Sequence, residues 1–333
     1  MTRRPFFSRR SLVRLLALGA AAPLMTTLAS AQSTSWPKAG PIRFIVPFTP
    51  GSGTDVVARI LAEKLGPALG TQVLIDNRPG AGGTLGAAVV AKAAPDGYTF
   101  LIHSSGHLVN PAIYPKLPYD TLKDFDGVTT LASLPNVLVV SPSKGYKDVQ
   151  DLVAKAKAQP DALNYASAGN GSATHMNAEK FRVAANIKAV HVPFRGTPEA
   201  LTETISGRMD WFFAPLVSAL PLVKEGRLKA LAVGTAQRSP VLPDVPSVVE
   251  AGLPDAAYTF WVGLFAPAKT PPDIVARIHD ETLKVLATPE MKERLEKLGA
   301  TPMPMSQAAF DKYLVDETAA VGRLVKAANI HAE

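Results

Sequence analysis

The chain has 333 residues with 35 basic and 28 acidic side chains, and it contains no cysteine. The missing thiols exclude disulfides, thiolate nucleophiles and cysteine-ligated metals. The formal charge of +7 is concentrated at the start, where Arg3, Arg4, Arg9, Arg10 and Arg14 stand without an acid; the later chain shows no basic cluster of the kind a nucleic-acid partner needs.

The stretch 12–28 is mostly apolar but broken by Arg14, Gly19 and Pro23, which argues against a permanent membrane span. Ala29-Ser30-Ala31 supplies the small residues a signal peptidase reads, so residues 1–31 are expected to be a signal peptide cleaved after Ala31. Ser8-Arg9-Arg10-Ser11-Leu12-Val13 resembles a twin-arginine export signal, with the Sec route left open. Removing 31 residues from 333 leaves 302, with 30 basic against 28 acidic side chains and a balance of +2. That mature chain is expected to be periplasmic, soluble and of about two domains.

Taken in order, strands are expected over 42–48, 72–76, 99–103, 137–141, 163–167, 189–194, 211–214, 228–234 and 260–266. Helical patterns fall between them at 55–65, 84–93, 149–158, 175–185 and 198–206. Alternating apolar strands and helices argue for an α/β fold with parallel sheets covered on both faces. After Pro271-Pro272 come three helical patterns, at 274–287, 289–298 and 307–328, expected to fold back over an earlier sheet. Two lobes follow, one from 32–135 with 256–333 and one from 136–255. The chain is expected to cross between them near 131–136 and near 252–258, both stretches carrying proline.

Three glycine turns stand out. In "TPGSGTD", 49–55, a strand ends at Phe48 and a helix begins near Thr54. Ser52 and Thr54 are capping types; Gly51 and Gly53 permit positive φ or close approach. The resulting helix N-terminus has uncommitted N–H groups suited to an anion. Asp55 suits a first helical turn and adjoins this cradle. "NRPGAGGTLG", 77–86, fails the dinucleotide spacing: counted from Gly80 the sixth position is Leu85, and counted from Gly82 the third is Thr84. It is expected to be a tight turn entering the helix at Thr84, close-packed against the other lobe or the cleft, with Arg78 bracing it through carbonyls rather than binding ligand. "LNYASAGNGSATHMNAEKF", 163–181, repeats the first turn's logic with Ser172 or Thr174 as cap. Gly169, Asn170, Gly171 and Ala173 belong to the same loop. If the lobes face each other, two helix N-termini converge on one cleft, and Ser104 and Ser105 of "HSSGHLVN" offer hydroxyls to the same opening. In open α/β sheets ligands bind beyond the carboxyl ends of strands.

Enzyme signatures are not found. Ser52 and Ser172 lack the G-x-S-x-G context, and Ser141-Pro142-Ser143-Lys144 lacks the companion motifs of S-x-x-K enzymes. His103 and His107 flank a loop-like Ser-Ser-Gly, unlike the helix of H-E-x-x-H. His175 stands just inside a helix start, where a neutral ring is expected. Arg195 is read evenly as a ligand partner or a solvent-facing side chain. No cofactor and no metal are expected.

Beyond these features, "PFTPGSGTD", "IDNRPGAGG", "PDGYTFL", "YASAGNGSATH", "VPFRGTPEAL", "LKALAVG", "LPDVPSVVEAGL" and "FWVGLFAPAKTP" occur in order from 47 to 272. Together they resemble the Bug/TctC family of extracytoplasmic solute receptors of tripartite tricarboxylate transporters, over essentially the whole mature chain. The resemblance implies a two-lobed, type II-like periplasmic binding protein with a Venus-flytrap cleft and mostly parallel sheets. It implies a small carboxylate ligand held by backbone N–H groups, hydroxyls and waters, with permease subunits of the transporter as partners; a monomer is expected. The expected ligand-binding set is Phe48, Thr49, Gly51, Ser52, Gly53, Thr54, Asp55, Ser104, Ser105, Gly169, Asn170, Gly171, Ser172, Ala173, Thr174, Arg195 and Asp210. Two departures bear on it. The family's Pro-Gly-Gly is Pro50-Gly51-Ser52-Gly53 here, and Asp210 is followed by Ala214 where the family often has a second acid. The lost acid leans the ligand toward an amine-free acid, aromatic ones included. The aromatic run Trp211, Phe212, Phe213 is read mainly as core. Two alternatives stay open: an exported hydrolase using Ser172 or Ser105 with a histidine, and a receptor for a sensory kinase.

Overall fold

The computed structural model describes residues 36–327 and 329–331; the expected signal peptide lies outside them. The elements run β1 (Ile42–Val46), α1 (Gly53–Leu69), β2 (Val73–Asn77), α2 (Thr84–Ala91), β3 (Thr99–Ser104), α3 (Asn110–Ile113), β4 (Phe125–Leu134), β5 (Asn136–Val140), α4 (Val149–Ala158) and β6 (Asn164–Ser167). They continue as α5 (Ala173–Ala184), β7 (Val190–Pro193), α6 (Thr197–Ile205), β8 (Trp211–Pro215), α7 (Leu216–Lys224), β9 (Lys229–Val233), β10 (Phe260–Pro267), α8 (Pro272–Ala287), α9 (Pro289–Glu296), β11 (Thr301–Pro302) and α10 (Gln307–Ala327).

Two sheets result, one of six strands in the order β11-β4-β10-β3-β1-β2 and one of five in the order β7-β6-β8-β5-β9. In the first, β1, β2, β3 and β4 run one way while β10 and β11 run back. In the second only β5 is reversed. The parallel expectation thus holds for most strand directions, while the reversed β10 and β5 make both sheets mixed. Strands β5 and β10 each directly follow a crossing between sheets, whereas β11 follows α9. The first crossing is Pro135 alone, between β4 and β5. The second lies at 257–259: Tyr258 N–H donates to Gly234 O at 2.9 Å, and β10 begins two residues later.

Side-chain alternation explains why both faces of each sheet are covered. Phe44, Val46, Phe100, Ile102, Val262 and Leu264 pack with Val57, Leu61, Ile278 and other residues of α1 and α8. Their neighbours Ile45, Leu101, Trp261 and Phe265 pack on the opposite side with Ala87, Val90, Phe310 and Leu314 of α2 and α10. The C-terminal helix therefore does fold back over the first sheet. Phe310 fits there because Gly127 and Gly263 carry no side chain; a Cβ on either would come within 2.9 Å of its ring. In the second sheet Trp211 and Phe213 face α4 and α5 while Phe212 faces α6 and α7. All three aromatics are core.

Strand β4 is absent from the sequence reading, which stops at a linker over 131–136. Its Thr129 and Thr130 are fully buried, and their hydroxyls donate to the carbonyls of Met305 (2.8 Å) and Met303. The polar strand is made tolerable by acceptors from a distant segment.

Candidate functional site

The first glycine turn is a type II β-turn. Ser52 N–H donates to Thr49 O at 3.1 Å, Pro50 takes the second position, and Gly51 has φ +88° at the third, where that turn requires positive φ. Ser52 then stands extended (φ −65°, ψ 153°) as the residue before α1, and Val56 N–H closes the first helical bond on Ser52 O at 3.0 Å. Gly51 N–H donates to Asp55 Oδ2 at 2.8 Å.

The second turn repeats these backbone hydrogen bonds. Ser172 N–H donates to Gly169 O at 3.0 Å, Gly171 has φ +76°, and Ser172 stands at φ −62°, ψ 158° before α5. Gly171 N–H donates to His175 Nδ1 at 3.1 Å, the position that Asp55 takes in the first turn. Thr54 and Thr174 also correspond. Helix geometry leaves the first N–H groups without intrahelical partners. Among the described residues those of Gly53, Thr54 and Asp55 on α1, and of Ala173 and Thr174 on α5, remain uncommitted.

The two turns face each other across the gap between the sheets. A small inner cavity of about 10 Å³ is lined by Phe48, Ser52, Gly53, Thr54, Ser104, Ser172, Ala173 and Thr174 from the expected set, together with Ala168, Thr197, Pro215 and Phe260. No charged side chain is among them. Ser104 Oγ is buried and has no hydrogen-bond partner among the described residues. Cross-gap contacts are tight. Ser52 Oγ accepts from Thr197 N–H at 3.1 Å, Thr49 Oγ1 donates to Glu199 Oε2 at 3.0 Å, and Ser218 Oγ donates to Gly51 O at 3.0 Å. A Cβ on Gly53 would sit 2.8 Å from Pro215 Cβ. Outside lies a second, open cleft of about 430 Å³, walled by Ala81, Gly82, Tyr114, Gly169, Asn170, Pro193, Phe194, Arg195 and Glu199.

The turn at 77–86 joins this contact. Gly82 (φ +60°) lies so close to the second lobe that a Cβ would come within 1.8 Å of Asn170 O. Tyr114 OH donates to that same carbonyl at 3.1 Å, and burial pushes its pKa up to about 12. Arg78 pairs with the Asp76 carboxylate at 2.9 Å rather than with carbonyls of the turn.

Three expected site residues stand elsewhere. Asp210 precedes β8, whose opposite end, Pro215, meets the cavity; five residues at about 3.3 Å each put roughly 16 Å between them. There its carboxylate pairs with Lys144 Nζ at 2.8 Å and accepts from Asn164 N–H at 2.8 Å. Asp55 lies behind the first turn, buried, accepting from Gly51 N–H, Arg59 Nε (2.9 Å) and Asn77 Nδ2 (2.8 Å). Its carboxylate braces the turn. Ser105 Oγ meets Tyr258 OH at 3.1 Å, beside the second crossing. Gly171 serves the turn's geometry, and Thr49 and Gly51 hold the rim.

Histidines near the site are neutral. Burial pushes His175 down to about 4 and His191 and His103 to about 3, with His107 also well below the usual value. His175 stacks on His191 with ring centroids 3.9 Å apart, and His191 Nε2 meets Ser167 Oγ at 2.6 Å. His107 is enclosed by Tyr119, Phe125 and Phe265. Among the described residues neither serine of the hydrolase alternative has a histidine ring as hydrogen-bond partner at its Oγ: Ser172 Oγ meets Thr174 Oγ1 and the backbone N–H of His175, and Ser105 meets Tyr258.

Two α/β lobes joined by short crossings, with paired helix N-termini meeting in the gap, define a two-lobed periplasmic binding protein. The family model described as the tripartite tricarboxylate transporter family receptor, TctC, matches residues 57–330, and the chain belongs to that family. It is similar to a UPF0065 protein in the tcbD-tcbE intergenic region of Pseudomonas sp. strain P51, 39% identical over 86% of this chain and 85% of that one. Protein BugT of Bordetella pertussis is 32% identical over 92% of this chain and 95% of its own. Among solved structures, Rpa4515 of Rhodopseudomonas palustris with adipate has a TM-score of 0.85 at 32% identity, covering 89% of this chain and 99% of that one. MatC of the same organism with bound malate has a TM-score of 0.82 at 34% identity, covering 86% and 99%.

Proposed function

We propose that this protein is an extracytoplasmic solute receptor. It takes a small carboxylated organic anion into the cleft, closes over it, and delivers it to the permease subunits of a tripartite tricarboxylate-type transporter. The observation that carries this is the pair of matched turns presenting uncommitted helix N-terminal N–H groups to one inner cavity without a charged side chain. Helix N-termini are anion sites, and several charge-assisted hydrogen bonds at roughly 1.5–3 kcal/mol each suffice for a micromolar complex at about −8.2 kcal/mol. Adipate in Rpa4515 and malate in MatC are carboxylates held by relatives.

The lobes are taken as 32–135 with 256–333, and 136–255. The protein acts as a monomer without catalysis, and residues 1–31 direct its export and are removed after Ala31. Among the described residues no helix is long and apolar enough to cross a membrane. A thermal-shift and native mass-spectrometry screen with organic acids tests the function. The expected result is a rise in unfolding temperature with an intact bound acid. Consumption of the acid that stops in a Ser172→Ala variant would instead make the protein a hydrolase.

A further inference from the structure

The inner cavity and the outer cleft share one wall. Ala168 and Ser172 face inward while Gly169 and Asn170, between them, face outward; Thr197 faces inward while Arg195 faces outward. The inner space of about 10 Å³ matches a water or one small polar group. The outer one, at about 430 Å³, has room for the body of a solute. Among the described residues Arg195 is the one cation lining it. The side chain is exposed and, among the described residues, its guanidinium has no hydrogen-bond or ion-pair partner. Glu199, also on this wall, is committed to Thr49 Oγ1 at 3.0 Å and sits in the first turn of α6, whose helix end favours its charge.

We propose that Arg195 selects a second negative charge on the solute. One carboxylate docks at the amide turns, the chain of the molecule passes outward, and its far carboxylate meets the Arg195 guanidinium. This rests on the receptor function proposed above and narrows its ligand to an elongated dicarboxylate. The guanidinium fork matches a carboxylate with two parallel hydrogen bonds, which a lysine ammonium cannot reproduce. The Glu199 charge disfavours an anion on its own side and leaves Arg195 as the landing point.

Isothermal titration of wild type, Arg195→Gln and Arg195→Lys with acid pairs matched in skeleton tests this: butanoate and succinate, hexanoate and adipate, benzoate and terephthalate. In wild type, at least one diacid is expected to bind about tenfold or more tighter than its matched monoacid. Arg195→Gln is expected to remove that preference while leaving monoacid affinity and the ligand-free unfolding temperature unchanged; Arg195→Lys keeps part of it. A diacid preference that survives in Arg195→Gln, or monoacids that bind wild type as tightly as diacids, would overturn the role of Arg195 and leave the receptor function standing. If no acid binds wild type, the receptor function fails and Arg195's role with it.

Discussion

The turns at 49–52 and 169–172 share one plan: a glycine at positive φ, a serine before the helix, and an acceptor three residues later that takes the glycine N–H. They differ in what surrounds the plan. In the first lobe the acceptor is a carboxylate, Asp55, which also binds Arg59 and Asn77, and Asn77 in turn donates to Phe48 O at 3.0 Å. In the second it is a neutral imidazole, His175, stacked on His191. The serines differ too. Ser172 Oγ accepts from His175 N–H at 3.3 Å and caps its own helix, whereas Ser52 makes no cap bond and reaches the other lobe at Thr197. The backbone shape that presents N–H groups is what the two lobes have in common. The first turn is anchored by charge and uses its serine for closure; the second uses its serine to cap its own helix and meets the other lobe through Asn170 O.

That contrast breaks most readily at the two acceptors. Asp55→Ala removes a buried carboxylate that organises the turn, α1 and β2 together, and is expected to cost about 3–5 kcal/mol of unfolding free energy. His175→Ala removes one hydrogen bond and a ring stack, an expected loss of about 1–2 kcal/mol. Urea denaturation of both variants checks the ranking. Equal losses would mean that the first turn is not specially anchored.

Acidification separates the acceptors next. A histidine whose folded pKa is depressed contributes stability that is present above its unfolded value of about 6.5, and that stability is lost as pH falls toward the folded value. For His175 the window is from 6.5 down to about 4, and for His191 down to about 3. By pH 4.5 His175 alone is expected to lose on the order of 2 kcal/mol. A His175→Gln variant keeps an acceptor without titrating, so denaturation at pH 7.5 and 4.5 should show a flatter pH dependence than wild type. An unchanged slope would remove His175 from the acid response.

Much of this was legible in the residues. Strands bounded by glycine or proline, and the two serine turns, carry their signals locally. Strand β4 does not, because Thr129 and Thr130 find their acceptors at 303–305, far along the chain. Helix α7 is hidden because residues 211–220 form one apolar run in which a strand passes into a helix at Pro215. Asp210 illustrates an error of direction. The rule that puts ligands beyond the carboxyl ends of strands excludes an acid that precedes β8, and the same rule favours Pro215 at that strand's end. Phe260 begins β10, and its place in the cavity follows only once β10 is known to run backwards. Arg195 follows the carboxyl end of β7 and is a candidate from that place, whereas Glu199 carries no motif and is brought to the same cleft by the start of α6.

Gly53 tests whether the first turn's contact with the second lobe governs closure. Ala173 fills the equivalent position in α5, so a methyl group is compatible with the turn itself. At Gly53 it would meet Pro215 at 2.8 Å, backed by Leu134 at 3.4 Å. Gly53→Ala is therefore expected to leave unfolding free energy unchanged or raised, since alanine is the better helix former. Carboxylate affinity is expected to fall about tenfold, a little over 1 kcal/mol, because the lobes can no longer seat. Parallel measurement of denaturation and titration separates the two effects; a loss of stability without loss of affinity would place the constraint inside the lobe.

The smallest effects come from the serines, where one residue type at one position should give opposite readouts. Ser172→Ala removes a helix cap and is expected to cost about 1 kcal/mol of stability. Ser52→Ala removes no cap but leaves the Thr197 N–H without its acceptor in the closed form. Its expected cost, about 1 kcal/mol, falls on ligand affinity while the ligand-free protein, when open, is unaffected. Small-angle scattering of the ligand-free forms sharpens the distinction, since weakening the Ser52 bond should shift the population toward the open shape and Ser172→Ala should not. If both variants lose stability alike and neither changes affinity, the two turns are interchangeable braces, and closure across the cleft rests on the other cross-gap bonds, Thr49 to Glu199, Ser218 to Gly51 and Tyr114 to Asn170.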